Sequence, residues 1–145
     1  MMTHAMKKNL LHVFVLIIVS SGCSIKENNP LIGRWQANED ETLQEIRTCG
    51  SYTEKQIELI TSKISFGAFI LEIDEDTITS YYEGSDNAGS YRIITIDSPF
   101  IVIESHDPIT EAVGIVTIEL RDNKMWIPSA LLGFREVFTR INEAH

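Results

Sequence analysis

The hydrophobic positions of this chain change period twice. Residues 10–19 form a nearly unbroken apolar run, interrupted by His12. Between Leu43 and Ile64 apolar residues recur at spacings of three and four, the repeat of a half-buried helix. From Phe66 onward they gather in short β-rich runs divided by turn-forming residues. Asn38, with Glu41 three positions on, predicts a capped helix start with acids in its first turn, Leu43 and Ile46 on one side and Gly50 as its stop. Thr53 with Gln56 repeats the cap signature ahead of Ile57, Ile60 and Ile64. Two short amphipathic helices joined near "CGSY" follow.

Alternation in "LIGRWQ", residues 31–36, predicts a strand before the helices. Seven more runs lie at 66–73, 77–84, 90–97, 100–105, 112–120, 124–128 and 135–141. Their breaks are Asp74-Glu75-Asp76, "GSDNAG" (84–89), Asp97-Ser98-Pro99, "SHDPIT" (105–110), Asp122-Asn123 and "PSALLG" (128–133). Strands joined by short connections pair as antiparallel hairpins. Eight of them can close into a barrel, which removes exposed edges and is just wide enough to be filled or to hold one small ligand. The expected fold is therefore mostly β: an eight-stranded antiparallel barrel with two short helices between strands 1 and 2. Several strands are apolar on both parities, as at Ile93 with Ile94 and Ile115 with Val116. One face fills the barrel, and the other needs cover from the helices or a partner.

The first apolar run is about half of the roughly 20 residues that a bilayer-spanning helix requires. It follows Lys7 and Lys8 and leads into Ser20-Ser21-Gly22, the charged, apolar and small-residue layout of a secretory signal. Residues 1–22 are therefore read as a signal peptide and set apart from the fold. "VSSGC", ending at Cys23, resembles a bacterial lipobox. The resemblance implies that Cys23 becomes the new N-terminus and carries diacylglycerol and an acyl chain, with Ser20 standing where that family most often has leucine. Ser24 after the cysteine resembles the sorting pattern of outer-membrane lipoproteins facing the periplasm.

Cleavage would leave a lipidated N-terminus and polar tether at 23–30 and a single domain at 31–145. The seven tether residues 24–30 would reach at most roughly 25 Å. The signal removes two lysines and no acid, so the net charge goes from −9 to −11. That balance argues against nucleic acid and against an electrostatic grip on anionic lipid; attachment to the membrane would come from the lipid on Cys23. Cys49 would then have no intramolecular disulfide partner, and a lone cysteine is expected to be a small buried apolar residue.

The order of strand, helix pair and strand meander resembles the calycins, which include lipocalins and fatty-acid-binding proteins. Gly33-Arg34-Trp35 matches their first-strand G-x-W, and Arg140 in the last strand stands where lipocalins place an arginine over that tryptophan. The resemblance implies a structural role for Gly33, Trp35 and Arg140: a guanidinium across the indole closes one end of the barrel, and glycine permits the close approach. The Arg-x-Tyr pair that binds carboxylates in fatty-acid-binding proteins is missing, since Arg135 is followed two positions on by Val137. The chain also resembles small bacterial lipoproteins with a "GxW" start and a "GFRE.F.R" ending, here Gly133 to Arg140.

Catalytic and metal chemistry finds little footing. After cleavage the histidines are His106 and His145, too few for a histidine-based metal site, and His106-Asp107 in a turn lacks a triad's geometry. Asp74-Glu75-Asp76 lacks the glycine and distal glutamate of a calcium loop. The glycines of "GSDNAGS" precede no helix and form no phosphate cradle. No cofactor is expected. Leu131, Leu132 and Phe134 either cap the core or form a partner-binding patch, and Tyr81, Tyr82, Tyr91 and Trp126 are candidates to line a cavity. The expectation is a non-enzymatic, membrane-anchored domain that binds a small apolar ligand. The alternative is an accessory protein with a filled barrel that binds an envelope protein through its outer surface.

Overall fold

The computed structural model describes residues 28–107, 110–129 and 132–142. The signal segment, Cys23, Leu131 and His145 lie outside them. Eight antiparallel strands form a closed barrel in which each strand pairs with the next and β8 returns to β1. They are β1 (Gly33–Ala37), β2 (Ile70–Ile73), β3 (Thr77–Tyr82), β4 (Ser85–Asp97), β5 (Phe100–His106), β6 (Val113–Arg121), β7 (Lys124–Pro128) and β8 (Arg135–Arg140). Helices α1 (Glu39–Cys49) and α2 (Glu54–Thr61) and a single 3-10 turn at Phe66–Ala68 follow β1 and precede β2.

The helix ends obey local chemistry. Asn38 caps α1 by accepting from the Glu41 N–H at 3.1 Å, and Gly50 ends it in the left-handed conformation at φ 69°. Thr53 and Gln56 form a reciprocal capping box on α2.

Three expectations need correction. "GSDNAG" is not a loop: β3 turns into β4 through Glu83 and Gly84, both at positive φ, and residues 85–89 pair with β3 in register. Those side chains are mostly exposed, so the pairing is held by the main chain and leaves no apolar alternation to read. The first and second strands are also shorter than predicted, because Leu31 precedes β1 in a turn and Phe66 belongs to the 3-10 turn. Finally, Cys49 is exposed rather than buried. It sits at the end of α1, where its thiol donates to the Ile46 carbonyl at 3.0 Å.

Two cores result. The barrel interior is filled by Leu31, Trp35, Leu71, Ile73, Tyr91, Ile101, Ile103, Ile118, Met125 and Phe138. A second, external core joins Ile46 of α1, Ile57 of α2, Phe66 and Phe134, with Leu132 half-buried against it. Phe134 stands edge-on to both Tyr52 and Phe66, so it caps a core.

Helix α1 covers the outer face of β8. Where β1 leaves the sheet to become α1, its main chain still donates from Asn38 to the Val137 carbonyl at 2.7 Å. The buried Thr42 hydroxyl then accepts the Val137 N–H at 3.0 Å, taking the place of the next ladder partner. Arg135 fixes the other half of the helix with a bidentate pair to Glu45 at 3.0 Å and a further contact to Glu119 at 2.6 Å. Those carboxylates raise the Arg135 pKa, the hydrogen bonds of Glu45 first.

Candidate functional site

A cluster of polar contacts, several of them between residues far apart in sequence, lies at one end of the barrel and grips residues 29–32. Arg140 stacks its guanidinium on Trp35, 4.1 Å from the ring centroid, and donates to the carbonyls of Ile32 at 2.6 Å and Pro30 at 2.7 Å. Trp35 donates its indole N–H to the Leu31 carbonyl at 2.9 Å. Tyr91 accepts a hydrogen bond from the Asn29 side-chain amide and donates one from its hydroxyl to the Asp74 carbonyl, both at 2.6 Å. The Asn29 side chain also accepts from the Leu31 N–H. Three side chains from β1, β4 and β8 thus hold one short segment, and burial raises the Tyr91 phenol's pKa.

Gly33 makes the stack possible. Its φ of +141° suits glycine, and a Cβ there would fall 2.5 Å from the Arg140 Nη1. Burial lowers the Arg140 pKa, while the two carbonyls keep its donors satisfied.

β3 pairs with β4 only as far as Thr77 opposite Ser90, while β4 continues to Asp97 with β5 on its other side. Asn28, Asn29 and Ile32 lie beside only the start of that second half, at Tyr91, Arg92 and Ile93. A groove of about 450 Å³ runs between Asn28, Ile32, Asp76 and Ile93. The β4 register slips between Ile93 and Thr95, a bulge that turns Ile94 outward.

The other candidates are scattered. Tyr81 is an outer-face residue beside Glu72, whose charge raises the phenol's pKa. Tyr82 stacks on Phe69 at 4.2 Å, and Trp126 lies under Arg121. Tyr91 alone of the four belongs to the grip. His106 is exposed at the end of β5, and Asp74-Glu75-Asp76 form the β2–β3 turn. Among the described residues no group of three or more His, Cys, Asp or Glu is arranged to hold a metal. No described helix is long and apolar enough to cross a membrane.

Asn29, Thr42 and Glu136 carry roles that the sequence did not announce. On β8, Glu136 shares its parity with the buried Phe138, which directs it into the barrel opposite Ile127. Burial raises its carboxyl pKa.

Apolar residues remain exposed in two places on β4–β6. Ile94 and Ile96 are each 41% exposed and Phe100 is 47% exposed around the β4–β5 turn, whereas Val113 at 62% and Ile115 at 61% lie at the far end of the β5–β6 hairpin. The fold and site together define a filled, closed meander barrel with an external helix pair and a gripped N-terminal segment. Comparison with protein-family models, with curated proteins and with solved structures returns no significant match.

Proposed function

We propose that the protein is a lipid-anchored domain of the bacterial envelope that acts through the outside of its barrel by binding an envelope protein. In this reading the chain is cleaved before Cys23, acylated there, and held at the outer membrane on its periplasmic side. The observation that favours this reading over small-ligand binding is the core. Trp35, Ile73, Ile101, Ile118 and Met125 are almost fully buried and pack in one cluster in the barrel interior. Eight strands enclose just enough space for such side chains. The calycin resemblance then bears on architecture, through Gly33, Trp35 and Arg140, and in this reading the barrel centre is packed by side chains rather than kept for a ligand.

The signal layout and the lipobox support the anchor, and the grip on residues 29–32 suits it. A load applied at Cys23 reaches the barrel through a segment that Arg140, Trp35 and Tyr91 hold by side chains. The outward-facing Val113 and Ile115 offer apolar contact area for a partner.

Metabolic labelling with an alkyne analogue of palmitate tests the anchor. The wild-type chain should carry the label and sediment with membranes, while Cys23→Ser should lose both. Label retained on Cys23→Ser would overturn the reading.

A further inference from the structure

We infer that the rim formed by Ile32, Ile94, Ile96 and Phe100 rests on the surface of a zwitterionic bilayer, with the gripped end of the barrel facing the membrane. The inference rests on the acylation of Cys23 proposed above and adds the orientation of the domain.

Two observations carry it. The first is the length of chain between anchor and barrel. Only Ser24 to Asn28 separate Cys23 from the gripped Asn29, a reach of at most about 17 Å when extended. Asn28 lies in the groove beside Ile32 and Ile93, so the surface around that groove is the part of the domain the tether brings to the headgroups. The second is the character of that surface. Ile96 pairs with the buried Ile101 yet is 41% exposed, because β3 has ended and no strand covers this half of β4. Ile94 at the bulge and Phe100 at the β4–β5 turn are similarly open, as is Ile32 across the groove from Ile93. A bilayer interface takes such side chains favourably at shallow depth.

Charge selects the lipid. Asp74, Glu75, Asp76 and Asp97 stand at the same end and outnumber the exposed Arg34 beside Ile32, while Arg92 is paired with Glu104 at 2.8 Å. Anionic headgroups would repel this rim, and phosphatidylethanolamine or phosphatidylcholine would not.

The test uses the full-length acylated protein in phosphatidylcholine vesicles containing lipids brominated near the headgroup end of the acyl chain. Trp35 and Trp126 are buried and supply a constant background. Phe100→Trp should be quenched at least about twofold more than Leu59→Trp on α2, since shallow burial of roughly 5–10 Å brings the indole within reach of bromine. Ile94→Trp serves as a second reporter should Phe100→Trp fail to fold. Replacing part of the phosphatidylcholine by phosphatidylglycerol should reduce the difference. Equal quenching at the two ends, or stronger quenching with phosphatidylglycerol, overturns the orientation. The mass of the Cys23 peptide separates the two failures: an acylated, vesicle-bound protein with equal quenching leaves the anchor standing, and an unmodified Cys23 removes both.

Discussion

Arg140 and Trp35 lie directly opposite each other in the β1–β8 register, and the guanidinium covers the indole face while holding two carbonyls of the preceding segment. One side chain thus closes the barrel end and fastens residues 30–32 to it. Replacing Arg140 by Ala removes a cation–π contact and two charge-assisted hydrogen bonds, an expected loss of about 2–3 kcal/mol. Arg140→Lys should recover only part, because an ammonium lacks the planar fork that serves both the ring and the two carbonyls. Urea denaturation followed by tryptophan emission measures it; equal stability of the three proteins would contradict the role.

Gly33→Ala should destabilise by about 2 kcal/mol or more, from a Cβ forced against Arg140 and a backbone φ that L residues rarely adopt. The cost should shrink in the Gly33→Ala, Arg140→Ala double variant, since the clash disappears and only the backbone strain remains. Strictly additive losses would mean that the close approach is unimportant.

Thr42 tests the joint between helix and barrel. Thr42→Val keeps the shape but leaves the Val137 N–H without its buried acceptor, at an expected cost of about 1–3 kcal/mol. Thr42→Ser should restore most of it. Amide exchange at Val137 should accelerate in Thr42→Val and stay slow in Thr42→Ser.

Glu136 links stability to pH. Burial raises its folded-state pKa above the usual 4.5, so the folded chain holds its proton more tightly than the unfolded chain. The contribution of this group is therefore fully present below the unfolded value and is lost as pH rises through the folded value. Glu136→Gln should melt a few degrees higher than the wild type at neutral pH, with the difference closing by about pH 4. A difference that grows on acidification would contradict the assignment.

Features set within a few residues were legible in the sequence. Asn38 with Glu41, Gly50, and Thr53 with Gln56 are side-chain-to-backbone pairings within one helical turn, and the strand runs follow their own alternation. The start of β4 was not, because "SDNAG" pairs through its main chain with both faces largely exposed. Cys49 departs from the burial usual for a lone cysteine because its place at the end of α1 determines its exposure. Most of the grip was hidden for another reason. Asn29 and Tyr91 are 62 residues apart, and at the helix joint Thr42 and Val137 are 95 apart, so only the closed barrel brings either pair together. Trp35 and Arg140 were visible through the calycin resemblance.

Native mass spectrometry of the full-length protein extracted from membranes tests the filled, anchored barrel most directly. The account predicts a chain starting at Cys23 with a covalent acyl modification, no non-covalent ligand, and no adduct on adding long-chain fatty acids. A stoichiometric small molecule released on unfolding would contradict the filled barrel.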